Sequence, residues 1–166
     1  MSDEGFYLKI RLFQGVTPEE IEAVRAAGIP RAVPDGHTFF RMGDPNGSLF
    51  VIRKGSVSVD RPGSEKSFAI ATLRAGQTFG EMSFLDASRA TATIRALGAT
   101  EAIELPRAAF DEICAKYPAL GGKVWRNVAL DLKARLAEAN RVIDHYMDIE
   151  QLLKENPAFR ETYGQI

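Results

Sequence analysis

The chain has 166 residues, 45% of them hydrophobic and 26% charged; that length suits one domain or one domain with an appendage, and the balance argues against disorder. Lysine and arginine number 21 against 22 aspartates and glutamates, a net charge of −1, which speaks against a broadly basic nucleic-acid-binding surface. One cysteine, Cys114, excludes an internal disulfide framework; with no apolar run near the roughly 18–20 residues of a membrane span and no basic leader in Met1-Ser2-Asp3-Glu4-Gly5, the chain reads as cytoplasmic.

The first zone runs to about Pro34. Thr17-Pro18-Glu19-Glu20 supplies an N-cap, a proline at the first helical position and carboxylates for the first turn. Ile21, Val24 and Ala27 follow at helical spacing, and Gly28 stops the helix. The preceding Leu12-Phe13 pair is placed to dock it.

The second zone, about 33–105, is β-rich. Turn signals come in quick succession at Pro34-Asp35-Gly36, Gly43 to Gly47, Lys54-Gly55, Arg61 to Ser64 and Ala75-Gly76-Gln77. Between them lie Thr38-Phe39-Phe40, Leu49 to Ile52, Val57-Ser58-Val59 and Phe68 to Leu73. Short strands at that spacing predict a sandwich, roll or barrel.

The third zone is helical. Pro106 opens a helix that Pro118 ends. A longer helix covers about 119–146, with Leu120, Val124, Val128, Leu132, Leu136, Ala139, Ile143 and Tyr146 forming one stripe. Gly121-Gly122 is expected to loosen its first turn. Trp125 is expected to anchor it on the β zone, and Asn127 and Asn140 lie off the stripe. The remaining residues, 147–166, read as a short helical tail broken at Asn156-Pro157. His37 and His145 are too far apart to suggest a metal site, and Cys114 reads as a small core residue, not a nucleophile.

One stretch, Thr78 to Ile94, sits oddly in the β zone. Gly80-Glu81-Met82-Ser83-Phe84-Leu85 reads as a single helical turn between strands. A helix start presents unpaired N–H groups to an anion. Gly80 permits close backbone approach. Glu81 repels a phosphate but accepts from a hydroxyl, and Arg89 offers a countercharge. An ordinary turn with a surface Glu–Arg pair is the competing reading.

Phe79-Gly80-Glu81-Met82-Ser83-Phe84-Leu85 resembles the phosphate-binding cassette of cyclic-nucleotide-binding domains, as in the catabolite activator family and the regulatory subunits of protein kinase A. Asp35-Gly36, Arg41-Met42-Gly43-Asp44, Leu49 to Ile52 and Gly55 to Val59 are similar to the roll that precedes that cassette. The helices before and after match the family in order, so the resemblance spans about residues 10–145. It implies an α+β fold: an antiparallel, jelly-roll-like β-roll flanked by an N-terminal helix and by C-terminal B and C helices. It implies cAMP or cGMP as ligand and no catalytic chemistry. The ribose 2′-hydroxyl would be accepted by Glu81, and the cyclic phosphate would be held near Met82 and Ser83.

The family next places an arginine on the phosphate, then a small residue and Ala-Thr-Val. Without gaps, Ala92-Thr93-Ile94 falls on Ala-Thr-Val and Thr91 on the small residue. Ala90 then takes the arginine position, with Arg89 one place early. Two arrangements follow: a short 86–88 loop swings Arg89 into the site, or Arg89 stays outside and the pocket is degenerate. The register of Ala92-Thr93-Ile94 favours the second.

In the family, the C helix covers the ligand or pairs with a second copy. A helix of about 27 residues spans roughly 40 Å, so a homodimer through Leu132, Leu136 and Ile143 is expected. The tail has no room for a DNA-reading motif, which leaves an unidentified output protein as reader. Leu152, Leu153, Phe159 and Tyr163 offer apolar contacts for a lid or a docking element. The expected function is a sensor that binds a cyclic nucleotide and signals through the C helix. The alternative is a degenerate pocket serving as an interaction scaffold, or taking a cyclic dinucleotide.

Overall fold

The computed structural model describes residues 3–63 and 67–155. The tail contacts expected of Phe159 and Tyr163, and the side chains of Leu152 and Leu153, lie outside the described residues. Two compact units divide at Val128–Ala129.

The first unit opens with α1 (Asp3–Tyr7), a 3-10 turn (Arg11–Phe13) and α2 (Pro18–Ala27). The N-cap forms as expected and closes into a capping box: the Glu20 amide donates to Thr17 Oγ1 at 3.3 Å and the Thr17 amide to Glu20 Oε2 at 2.7 Å. Ile21 and Val24 are buried, as are Leu12 and Phe13 before them.

Six strands follow: β1 (Ile29–Val33), β2 (Thr38–Phe40), β3 (Ser48–Arg61), β4 (Phe68–Arg74), β5 (Thr78–Phe79) and β6 (Thr93–Pro106), with α3 (Glu81–Asp86) between the last two. All pairings are antiparallel. β3 and β6 form the spine; β1 and β2 pair with β6, and β4 and β5 with β3. This is the expected α+β roll. Its interior is filled by Phe50, Ile52, Val57, Leu73, Phe79 and Ile94.

The turn expected at Lys54-Gly55 does not form. β3 runs through it with register shifts against β6 from Ile52 to Ser56. Gly55 sits at φ +83°, and a Cβ there would lie 2.6 Å from the Ala99 carbonyl oxygen. A left-handed glycine here makes a bulge that bends the strand and keeps it in the sheet.

α4 (Arg107–Lys116) buries Phe110 and stops before Pro118, as expected. α5 begins at Pro118 and extends through Glu155, past the residue-146 end expected for it, so 147–155 continue the helix and are not a separate tail. Asp148 to Glu155 contain no glycine or proline to stop it. Gly121-Gly122 does not loosen the first turn. Gly121 faces α4 closely: a Cβ would sit 3.2 Å from Cys114 Sγ.

The α5 stripe is sealed over its first part, where Leu120, Val124 and Val128 are buried. Asn127 is buried as well, contrary to its expected place off the stripe. Its Nδ2 donates to the Leu12 and Gln14 carbonyls, each at 2.9 Å. Four residues earlier, Lys123 Nζ lies 2.7 Å from Glu20 Oε2. Burial alone would raise the Glu20 pKa, but the hydrogen bonds from Lys123 and Thr17 outweigh it and hold the carboxyl below its ordinary value.

In the second unit, described over 129–155, α5 exposes Leu136, Ile143, Tyr146 and Met147, while Leu132 is half-buried. Arg135 pairs with Asp131 and Arg141 with Glu138 along the helix.

Candidate functional site

The 79–91 segment is built on a wall made by residues 43–48. Phe79 is a core residue, its ring stacked on Phe50 at 4.8 Å. Gly80 follows at φ +82°, ψ 0°. A Cβ there would lie 2.6 Å from the Ser48 carbonyl oxygen and 2.9 Å from Asn46 Nδ2, so both conformation and space require glycine. The Gly80 carbonyl then accepts from the Phe84 amide at 3.0 Å and starts α3.

Asn46 fixes this entry. Its Nδ2 lies 2.8 Å from the Ser48 carbonyl, 2.9 Å from Ser83 Oγ and 3.4 Å from the Gly80 carbonyl. Ser83 is buried, and its hydroxyl belongs to this scaffold. Glu81 is also buried, at 6% exposure, whereas Met82 is half-exposed. A buried carboxylate at the start of a helix sits where the dipole favours negative charge. α3 ends at Ala87, in the left-handed region at φ 57°. Hydrogen bonds from Ser88 hold the Asp86 carboxyl below its ordinary pKa.

The next three residues settle where the arginine goes. Arg89 is exposed, and its Nη1 donates to the Gly43 carbonyl at 2.7 Å. Ala90 is buried at 5% exposure. Its amide donates to the Asp44 carbonyl at 2.9 Å, and its carbonyl accepts from the Gly43 amide at 2.8 Å. Thr91 Oγ1 lies 3.4 Å from Met82 Sδ. Arg89 is therefore engaged by the 43–45 turn, and a methyl group occupies position 90.

Arg107, which sequence reasoning passed over, connects this segment to the helices. Its Nη1 donates to the Phe84 carbonyl at 2.7 Å and reaches the Leu85 carbonyl at 3.4 Å. Its Nε bonds Asp111, and its guanidinium lies 5.6 Å over Phe84 and 5.3 Å over Trp125. Trp125 in turn packs on Phe84 of α3 and Phe110 of α4, so its ring partners are in these helices and not in the strands it was expected to anchor on. The available signal was a cation in the first turn of a helix, where the dipole disfavours one.

Among the described residues, no group of three His, Cys, Asp or Glu is placed to hold a metal, and no helix is long and apolar enough to cross a membrane. Burial, with the nearby Asp111 charge, raises the Cys114 thiol above its ordinary pKa.

Residues 30–117 match the cyclic nucleotide-binding domain family. The chain belongs to that family. It is a sensor and regulatory family, and the chain has its six-stranded antiparallel sheet and flanking helices. The cyclic AMP receptor protein of Thermus thermophilus is 32% identical over 80% of this chain and 60% of that protein. Glutaminase 1 of Bradyrhizobium diazoefficiens is also 32% identical over 80% of this chain, but over 21% of the enzyme. The crystal structure of a cyclic nucleotide-binding domain from Methylobacillus flagellatus superposes with a TM-score of 0.77 at 26% identity, covering 86% of this chain and 85% of that one. The chain thus spans between about a fifth and three fifths of these two curated relatives.

Proposed function

We propose that this cyclic nucleotide-binding domain is a ligand sensor that takes cAMP or cGMP in the 80–91 cassette and performs no chemistry on it. The observation that carries this reading is Glu81, a buried carboxylate at the start of α3 beside a glycine that cannot be replaced. A carboxylate in that place accepts from a ribose hydroxyl. The first amides of α3, at Met82 and Ser83, have no intrahelical acceptor and suit a phosphate oxygen. The cAMP named for the Thermus relative supports the choice of ligand. The ligand's effect passes from α3 through Arg107 to α4 and α5.

Calorimetric titration tests this. Wild type is expected to bind cAMP or cGMP weakly, and Glu81→Ala to lose the heat signal. No response at millimolar nucleotide would sink it.

A second reading rests on Arg89 and Ala90. With Arg89 on the Gly43 carbonyl and a buried methyl at 90, the cassette lacks the cation that the family uses. Such a pocket would suit a scaffold, or a cyclic dinucleotide as ligand. In either reading, α5 pairs with a second copy through the half-buried Leu132 and the exposed Leu136 and Ile143, because an exposed apolar surface favours a partner. Leu136→Glu is expected to convert a dimer to monomer in sedimentation velocity; an unchanged sedimentation coefficient would remove the helix as the interface.

A further inference from the structure

A cleft of about 510 Å³ lies beside the nucleotide cassette, sharing Asn46 with its scaffold and backed by Phe39, Phe40 and Phe50, whose rings meet Phe79. Its volume falls within the roughly 300–1,000 Å³ of small-molecule sites. It lies between β1, β2 and the start of β3, and none of residues 79–91 lines it. One side is aromatic: Phe39 meets Phe50 edge-on at 5.6 Å and His37 meets Phe39 edge-on at 5.5 Å. The other side carries Arg31, which is anchored and not loose. Its Nε and Nη2 bond Glu104 Oε2 at 2.7 and 2.6 Å. The second Glu104 oxygen accepts from the Ser48 hydroxyl at 2.7 Å.

We infer that this cleft is a second binding site, for a small aromatic carboxylate of one or two fused rings. The chemistry follows from the lining. Two half-buried phenylalanines, Phe39 and Phe40, offer ring surface to a flat ligand, with the buried Phe50 behind them. Glu104 is engaged through both oxygens, so its charge is answered by Arg31 and Ser48. The Arg31–Glu104 pair takes Nε and Nη2, which leaves Nη1 as the donor for a ligand. The guanidinium N–H groups not taken by Glu104, with the His37 imidazole elsewhere in the lining, suit a carboxylate. Asn46 also lines the cleft and holds Ser83 of the cassette, so a ligand here bears on the cassette from behind. The site itself does not rest on the nucleotide reading.

Titration of the ¹⁵N-labelled protein with 1-naphthoate, followed by heteronuclear NMR, tests the site. The expected shifts centre on residues 31–33, 37 and 47–48, and the neutral analogue 1-naphthylmethanol binds more weakly. Arg31→Gln is expected to weaken naphthoate binding about tenfold, His37→Ala to weaken it measurably, and Glu81→Ala to leave it unchanged. No shifts at millimolar naphthoate would overturn the proposal, as would equal binding by Arg31→Gln and His37→Ala. Shifts centred on 80–91 and lost in Glu81→Ala would also overturn it, while leaving the nucleotide reading intact.

Discussion

Ala90→Arg is expected to raise affinity for cAMP by about 10- to 150-fold, the equivalent of one charge-assisted hydrogen bond of roughly 1.5–3 kcal/mol. The position is prepared for it. The backbone of residue 90 is bonded to the 43–44 turn on both sides, so a new side chain would start from a fixed base. Arg89 is already tied by Nη1 to the Gly43 carbonyl. Arg89→Ala alone should therefore leave nucleotide affinity nearly unchanged. Calorimetry on the wild type, on the two single variants and on Ala90→Arg combined with Glu81→Ala separates the contributions. Should Ala90→Arg bind no tighter, or Arg89→Ala remove the binding, the assigned register is wrong.

Gly80→Ala should be the most damaging small substitution in the cassette. Forcing alanine into the left-handed region costs about 1–3 kcal/mol by itself. Here the added methyl also meets the Ser48 carbonyl oxygen at 2.6 Å, and a backbone oxygen in a strand cannot move aside cheaply. Gly36 provides the control: it has φ +75°, and a Cβ there meets nothing within 4 Å. Urea unfolding should show Gly80→Ala losing clearly more stability than Gly36→Ala. Equal losses would mean that the 45–48 wall yields and does not pin the cassette.

What the sequence disclosed was mostly local. The Thr17 N-cap and the stop before Pro118 need only neighbouring residues, and both form. Position 90 was read only through the resemblance, which lays Ala92-Thr93-Ile94 on the family's Ala-Thr-Val. Gly55 was misread because a left-handed glycine marks a turn and a bulge alike, and only pairing with β6 distinguishes them. Asn127 was misread because its acceptors lie 113 and 115 residues away. No spacing rule reaches that far. The cleft at Arg31 was invisible for the same reason, since Arg31 and Glu104 meet only across the sheet.

The Asn127 clamp has a bearing on how this module could be borrowed. The stretch matched by the family model, residues 30–117, leaves out contacts made by both flanks. Cutting at Pro30 removes the carbonyls of Leu12 and Gln14, the carboxylate paired with Lys123, and the apolar side of Ile21 and Val24. Cutting at Tyr117 strips Trp125 from the rings of Phe84 and Phe110 and removes the buried Leu120 and Val124. A biosensor chimera that grafts this domain onto a reporter therefore has to carry both flanks, from Asp3 to at least Val128, or it will transplant a roll without its buttresses.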